Sequence, residues 1–242
     1  MRRQLRGLLV LAMAMATVSA GADPQLEQQL SATLKTIMPD AKITSVKPGP
    51  VAGLYEVMLG PMVLYMTPDA HFLVRGDIYD LKAKANLTDA RRSAARVAAF
   101  SAQASHAIEF APASGKPQHT LYVFTDMDCG YCRKMHQEIG KLTAAGIAVR
   151  YLAFPRTGLN SDSYNKAVSV WCSANPNEAL TQAKLGQTVV SKPCDNPVAA
   201  QYHLGEAMGV HGTPAVFLDS GEELGGYIPA AELIRMFQTG EI

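Results

Sequence analysis

A β-rich run, Thr120 to Thr125, stops just short of Cys129-Gly130-Tyr131-Cys132, and from Cys132 to Ala145 the pattern turns helical. A second buried strand, Ala148 to Phe154, follows. Strand, helix and strand in this order make a βαβ unit with parallel pairing, and the unit sets the first cysteine where a helix begins. A thiol there faces unpaired N–H groups and the positive end of the helix dipole, both of which favour thiolate. A free cysteine has a pKa of about 8.5, whereas Cys-X-X-Cys cysteines in such settings fall to roughly 3.5–7. Cys132 lies one turn further on the same face, within the Cα separation of about 4.4–6.8 Å that a disulfide needs. The pattern therefore points to thiol–disulfide exchange: Cys129 attacks a substrate disulfide, and either the substrate rearranges and expels it or Cys132 releases it.

Other uses of the motif fit less well. A c-type haem site needs His after the second cysteine, where Arg133 stands. A zinc site needs four ligands, and Cys172 and Cys194 are not a second Cys-X-X-Cys pair, so no metal is expected. A purely structural Cys129–Cys132 bridge closes too small a ring to add much stability. Asp128 opposes the thiolate: at about 7 Å and an effective dielectric of 20–80 the repulsion is roughly 0.6–2.4 kcal/mol, or about 0.4–1.7 pH units. The expected Cys129 pKa is thus below the free value but not extreme. Asp126, at the strand end, reads either as a helper in proton transfer to Cys132 or as a solvated loop carboxylate. His136 reads as a solvated helix residue rather than a proton donor.

The four cysteines are too few to staple a 242-residue chain that lacks a core. Cys172 and Cys194 are most economically a static disulfide across a helical insertion, contributing roughly 3.4 kcal/mol for a ring of about 23 residues. Trp171 would pack over it. Pro214 lacks a ladder donor and should open the strand Ala215 to Leu218. Helices are expected at Ser163 to Cys172, Asn177 to Leu185, Val198 to Met208 and Pro229 to Gln238, with a strand near Glu223 to Gly226.

The amino-terminal region has another texture. Arg2, Arg3 and Arg6 precede the apolar run Leu8 to Val18 and the small residues Ser19 to Ala22, as in a cleavable export signal over 1–22. Such a run is too short to span a bilayer, which takes about 20 apolar residues. Removing it leaves 19 basic against 21 acidic side chains, so no strong field draws the chain to nucleic acid. Export implies an oxidising compartment. A helix with Leu26, Leu30, Leu34 and Ile37 on one face is followed by short β runs at Ile43 to Val46, Leu54 to Leu59, Val63 to Met66 and His71 to Arg75, and a further strand at Ile78 to Leu81. This unit, 23–85, lies near the lower limit for a self-sufficient core and is expected to dimerise or dock. From Asn86 to His106 the chain is Ala-rich without Gly or Pro, a long helix capped by Thr88. With so weakly apolar a face it reads as a strut, giving a linker over 86–110 before a last domain at 111–242.

Phe124-Thr125-Asp126 leading into Cys129-Gly130-Tyr131-Cys132, then Val149-Arg150-Tyr151-Leu152-Ala153-Phe154-Pro155-Arg156, Trp171-Cys172 and Gly212-Thr213-Pro214-Ala215 together resemble the DsbC/DsbG family of periplasmic disulfide isomerases. Gly130-Tyr131 between the cysteines favours the DsbC branch. Pro50 to Tyr55 and Arg75 to Tyr79 resemble the family's amino-terminal domain less tightly. The resemblance implies an α/β chain: a thioredoxin-like domain with a helical insertion, preceded by a small α+β, cystatin-like dimerisation domain and a helical linker. It implies a V-shaped homodimer whose cleft takes misfolded, disulfide-containing secreted proteins. Cys129 falls at the nucleophile's position and Cys132 at the resolving one. Pro214 falls at the cis-proline's, with Thr213 offering backbone to an extended substrate, and Cys172 with Cys194 match the second disulfide. A membrane thiol transporter of the DsbD type would keep the pair reduced, with no cofactor beyond it. Asp128 departs from the family, where Thr is expected. The expected function is disulfide isomerisation in the periplasm with chaperone activity. A DsbA-type thiol oxidase and a non-redox periplasmic chaperone remain alternatives.

Overall fold

The computed structural model describes residues 23–242 except 114, so the proposed signal over 1–22 lies outside the described residues. Helix α1 (Pro24–Ile37) starts at an Asp23 cap with Pro at its first turn, where a missing N–H costs nothing. Its Leu30 and Leu34 are fully buried on an antiparallel sheet of β1 (Ser45–Pro48), β2 (Tyr55–Leu59), β3 (Met62–Met66) and β4 (Leu73–Val74), in that order. Alternation splits the two central strands between cores: Val57, Leu59, Leu64 and Met66 face α1, while Met58, Val63 and Tyr65 face the other way. The expected strand at Ile78 to Leu81 does not join this sheet. It shortens to β5 (Tyr79–Asp80), paired only with β6 (Ala85–Asn86).

Helix α2 (Leu87–Gln103) continues into a short 3₁₀ turn at Ala104–His106. Its cap is Asn86, whose side chain accepts from the Asp89 N–H at 3.0 Å. Thr88, expected as the cap, is instead buried, its hydroxyl 2.7 Å from the Tyr65 hydroxyl and accepting from the Ile78 N–H at 2.8 Å. Nor is α2 a free strut. Phe100 is buried and stacks on Tyr122 at 4.2 Å, and the Arg96 guanidinium lies 5.0 Å from the Phe217 ring while donating to the Gly221 carbonyl at 3.2 Å. A few large residues, rather than a continuous apolar stripe, dock the C-terminal half of the helix on the second domain.

The second domain is built on a five-stranded sheet. Its spatial order is β11 (Glu223–Gly225), β10 (Ala215–Leu218), β8 (His119–Thr125), β9 (Ile147–Ala153), β7 (Ile108–Phe110). The β8–β9 pair is parallel, as the crossover requires, and the others are antiparallel. Strand β7 was not foreseen; it lies within the stretch read as linker and pairs with the edge of β9. The helix expected over 132–145 divides into α3 (Gly130–Gln137) and α4 (Ile139–Ala144). At the break, the Glu138 carboxylate accepts from the Tyr227 hydroxyl and the Ala230 N–H, at 2.9 and 3.3 Å. Helices α5 (Asp162–Trp171) and α6 (Pro176–Lys184) form the insertion, followed by α7 (Val198–Met208) and, at the end, α8 (Ala230–Thr239). A Cys172–Cys194 disulfide, with Cα atoms 5.6 Å apart, ties the end of α5 to the segment before α7. Trp171 packs partly buried beside it and donates its indole N–H to the His106 carbonyl at 3.0 Å. No described helix is long and apolar enough to cross a membrane.

Candidate active site

Strand β8 ends at Thr125, and the next few residues turn the chain into α3. Cys129 is the cap of that helix: its backbone is extended (φ −81°, ψ 120°), and its sulfur accepts from the Cys132 N–H at 3.2 Å, as a Ser or Asp oxygen does at other helix starts. The sulfur thus lies at the positive end of the helix. As a thiol it also donates to the Thr213 carbonyl at 3.0 Å. The Thr213–Pro214 peptide is cis, and the buried Thr213 hydroxyl has no partner that satisfies ordinary hydrogen-bond geometry. Beside the sulfur, Gly130 leaves open space where a side chain would stand, and Tyr131 is 63% exposed, stacked on Tyr227. Both cysteines are free thiols.

The two sulfurs have opposite acidities. A hydrogen bond from the Cys132 thiol holds the Cys129 pKa down at about 5; burial opposes it, and Thr213, the Cys132 N–H and the Arg156 guanidinium add to it. Cys132 goes the other way, raised by burial and by its hydrogen bond with Cys129. The opposing charge expected of Asp128 is offset by neighbouring cations. Its carboxylate is turned to Lys166 Nζ at 2.7 Å and Arg133 at 3.7 Å, so its charge is spent locally.

Asp126 is not a solvated loop carboxylate: it is 2% exposed. Burial by itself raises its pKa, but the Arg156 N–H and guanidinium, the Ser163 hydroxyl and the Asp128 N–H, at 2.7–3.1 Å, reverse this and hold the group ionised below the usual carboxylate range. It fixes the Arg156 guanidinium near Cys129. His136 is likewise not solvated. It is buried between the Tyr151 hydroxyl (3.2 Å) and the Thr181 hydroxyl (3.0 Å), and burial pushes its pKa down to about 4, so it is neutral. A cleft of about 430 Å³ opens beside the site, lined by Met127, Asp128, Arg133, Lys166 and Gln187 among others.

Cys129, Cys132, Thr213, Pro214, Gly130, Tyr131 and Asp126 therefore meet in one place, while the Cys172–Cys194 bridge lies in the insertion. The residues missed from sequence are Arg156, Ser163, Lys166 and Lys184. Arg156 carried a signal, a cation directly after the apolar run Ala153-Phe154-Pro155; the others carried none.

Fold and site define a thioredoxin-like protein with a helix-capping Cys-X-X-Cys. The family model for a thioredoxin-like domain matches residues 104–241, and that for the disulfide bond isomerase protein N-terminal domain matches 18–89. The chain is 36% identical over 192 residues to the thiol:disulfide interchange protein DsbC of Escherichia coli K12, covering 79% of this chain and 80% of that protein. It is 34% identical to DsbC of Dickeya dadantii, over 99% of this chain and 96% of the relative. The crystal structure of a disulfide interchange protein from Neisseria gonorrhoeae is 33% identical, covering 55% of this chain and 96% of that one at a TM-score of 0.49. The chain belongs to the DsbC family of thiol:disulfide interchange proteins.

Proposed function

We propose that this protein is an exported, periplasmic disulfide isomerase in which Cys129 is the nucleophile and Cys132 the resolving thiol. One observation carries the reading: the Cys129 sulfur caps α3, with its pKa held at about 5, next to a Cys132 thiol pushed the other way. At neutral pH such a site holds one thiolate, and only at the position nearer solvent. Cys129 attacks one sulfur of a non-native disulfide, and the other sulfur leaves as a thiolate. That thiolate then attacks a further disulfide of the substrate, and a returning substrate thiolate displaces Cys129. No net electrons pass, which is isomerisation.

The low pKa serves both directions, since a stable thiolate is also a good leaving group. A substrate segment lying along Thr213 and Pro214 in extended form places its sulfur over Cys129, with the exposed Tyr131 ring and the partly buried Tyr227 ring as apolar rim. The same rim supports chaperone activity toward unfolded chains. A DsbD-type membrane thiol transporter is the proposed reductant, and misfolded secreted proteins are the substrates. The homodimer reading is supported by β4, an edge strand whose Leu73 and Val74 are exposed, with Phe72 at 60% exposure beside them.

Reactivation of scrambled ribonuclease by the reduced chain tests the proposal. The wild type should restore activity and Cys129→Ser should not; a serine variant that reactivates as well as wild type would overturn it.

A further inference from the structure

Lys184, at the end of α6, is 3% exposed, an unusual place for a long cationic side chain. Its ammonium donates to the Thr125 hydroxyl at 2.7 Å and to the Asp126 carbonyl oxygen at 2.8 Å, just beneath the turn that leads to Cys129. Two of its three protons are thereby used, both on neutral oxygens. It makes no ion pair among the described residues, and the nearby Asp126 carboxylate is taken by Arg156 and Ser163. A buried cation without a paired anion is costly, and stays only where something repays it.

The groups facing Cys132 are Cys129 on its own helix, the Asp126 backbone in the preceding turn, Thr213 in the cis-proline loop, Arg156 after β9 and Lys184 on α6, with the Tyr151 phenol of β9 behind it. The groups facing Lys184 are Cys132, Asp126, Cys129 and Arg133, with neutral His136 above it. Two of the groups that face Cys132 are cations: Arg156 is 44% exposed and paired with Asp126, whereas Lys184 is buried and makes no ion pair among the described residues. Burial brings the Lys184 pKa down to about 8, against the pull of the two sulfurs and Asp126.

We propose that Lys184 is a positioning residue for the resolving step: its buried ammonium is the counter-charge against which Cys132 gives up its proton and attacks a stalled mixed disulfide. This rests on the exchange reading above. In the step, the S–H bond of Cys132 breaks and its proton goes to water. A bond forms between the two cysteine sulfurs, the Cys129–substrate S–S bond breaks, and its electron pair leaves on the substrate sulfur as thiolate. The cysteine pair is oxidised by two electrons and the substrate reduced by two.

Stopped-flow reaction of the reduced full chain with Ellman's reagent separates the steps. Attack by Cys129 releases the first thionitrobenzoate, and attack by Cys132 on the resulting mixed disulfide releases the second. In Lys184→Met the first phase at pH 7 should keep its rate, because Cys129 stays ionised. The second should slow by about tenfold or more and its pH profile move up by about one unit, the equivalent of that factor. A second phase matching wild type in rate and profile, or an equal slowing of both phases with no displaced profile, would overturn the proposal. If wild type shows no first phase, the exchange reading itself fails. Should the variant not fold, lysine side-chain NMR of the native protein decides: the Lys184 pKa should fall when the cysteine pair is oxidised, and an unchanged value refutes the role.

Discussion

At Cys129 three donors converge on one sulfur: a thiol, a backbone N–H and, at longer range, a guanidinium. The cysteines were legible because helix position and i, i+3 spacing are local properties. Lys166 and Lys184 were not, because they reach the site from 38 and 58 residues away, and Arg156, 30 residues away, showed only as a cation after an apolar run. Asp128 shows the cost of that blindness: its charge is plain in sequence, but the cations that engage it are not. His136 makes the same point, and its burial has a measurable result. Its folded pKa, about 4, lies below the value of about 6.5 for an unfolded chain. The unfolded state therefore binds the extra proton, so this contribution to stability is fully present above pH 6.5 and is lost as pH falls toward 4. Urea unfolding of the oxidised protein at pH 7 and 4.5 should show about 2–3 kcal/mol more acid loss in wild type than in His136→Phe. Equal losses would contradict the burial account.

At the scale of elements, α2 illustrates what composition hides. Its length, its Ala content and its place between domains follow from the chain's pattern, yet its docking depends on single residues whose partners lie in distant strands. Phe100 meets Tyr122 of β8 and Phe217 of β10, and Arg96 reaches the β10–β11 turn. Gly221 in that turn has φ +84°, and a Cβ there would overlap the Ser93 carbonyl of α2. Phe100→Ala should cost about 3–5 kcal/mol, the usual range for removing a buried aromatic ring, while leaving Cys129 reactivity unchanged. Thermal unfolding with parallel alkylation kinetics checks both parts; a loss under about 1 kcal/mol would mean that α2 is the free strut its composition implies. The short β7 escaped notice for a related reason. Three residues carry too little periodicity, and only the edge of β9 makes them a strand.

For the whole molecule, the family resemblance rested on motifs scattered over the second domain, and these converge because β8, α3 and the cis-proline loop meet at one end of the sheet. The amino-terminal sheet ends in a β4 edge with exposed apolar side chains, which charged residues would blunt. Leu73→Lys with Val74→Asp should turn a dimer into a monomer by light scattering and lower isomerase activity severalfold, with the Cys129 pKa untouched. A wild type that is already monomeric would remove the dimer from the account. The central claim is narrower: the fold makes Cys129 a stable thiolate at neutral pH. Thiolate ultraviolet absorbance of the reduced wild-type chain, titrated across pH 3–9 against Cys129→Ser, tests it most directly. A midpoint near 5 assigned to Cys129 is predicted, and a midpoint of about 8 or above, in the range of a free cysteine, would contradict it.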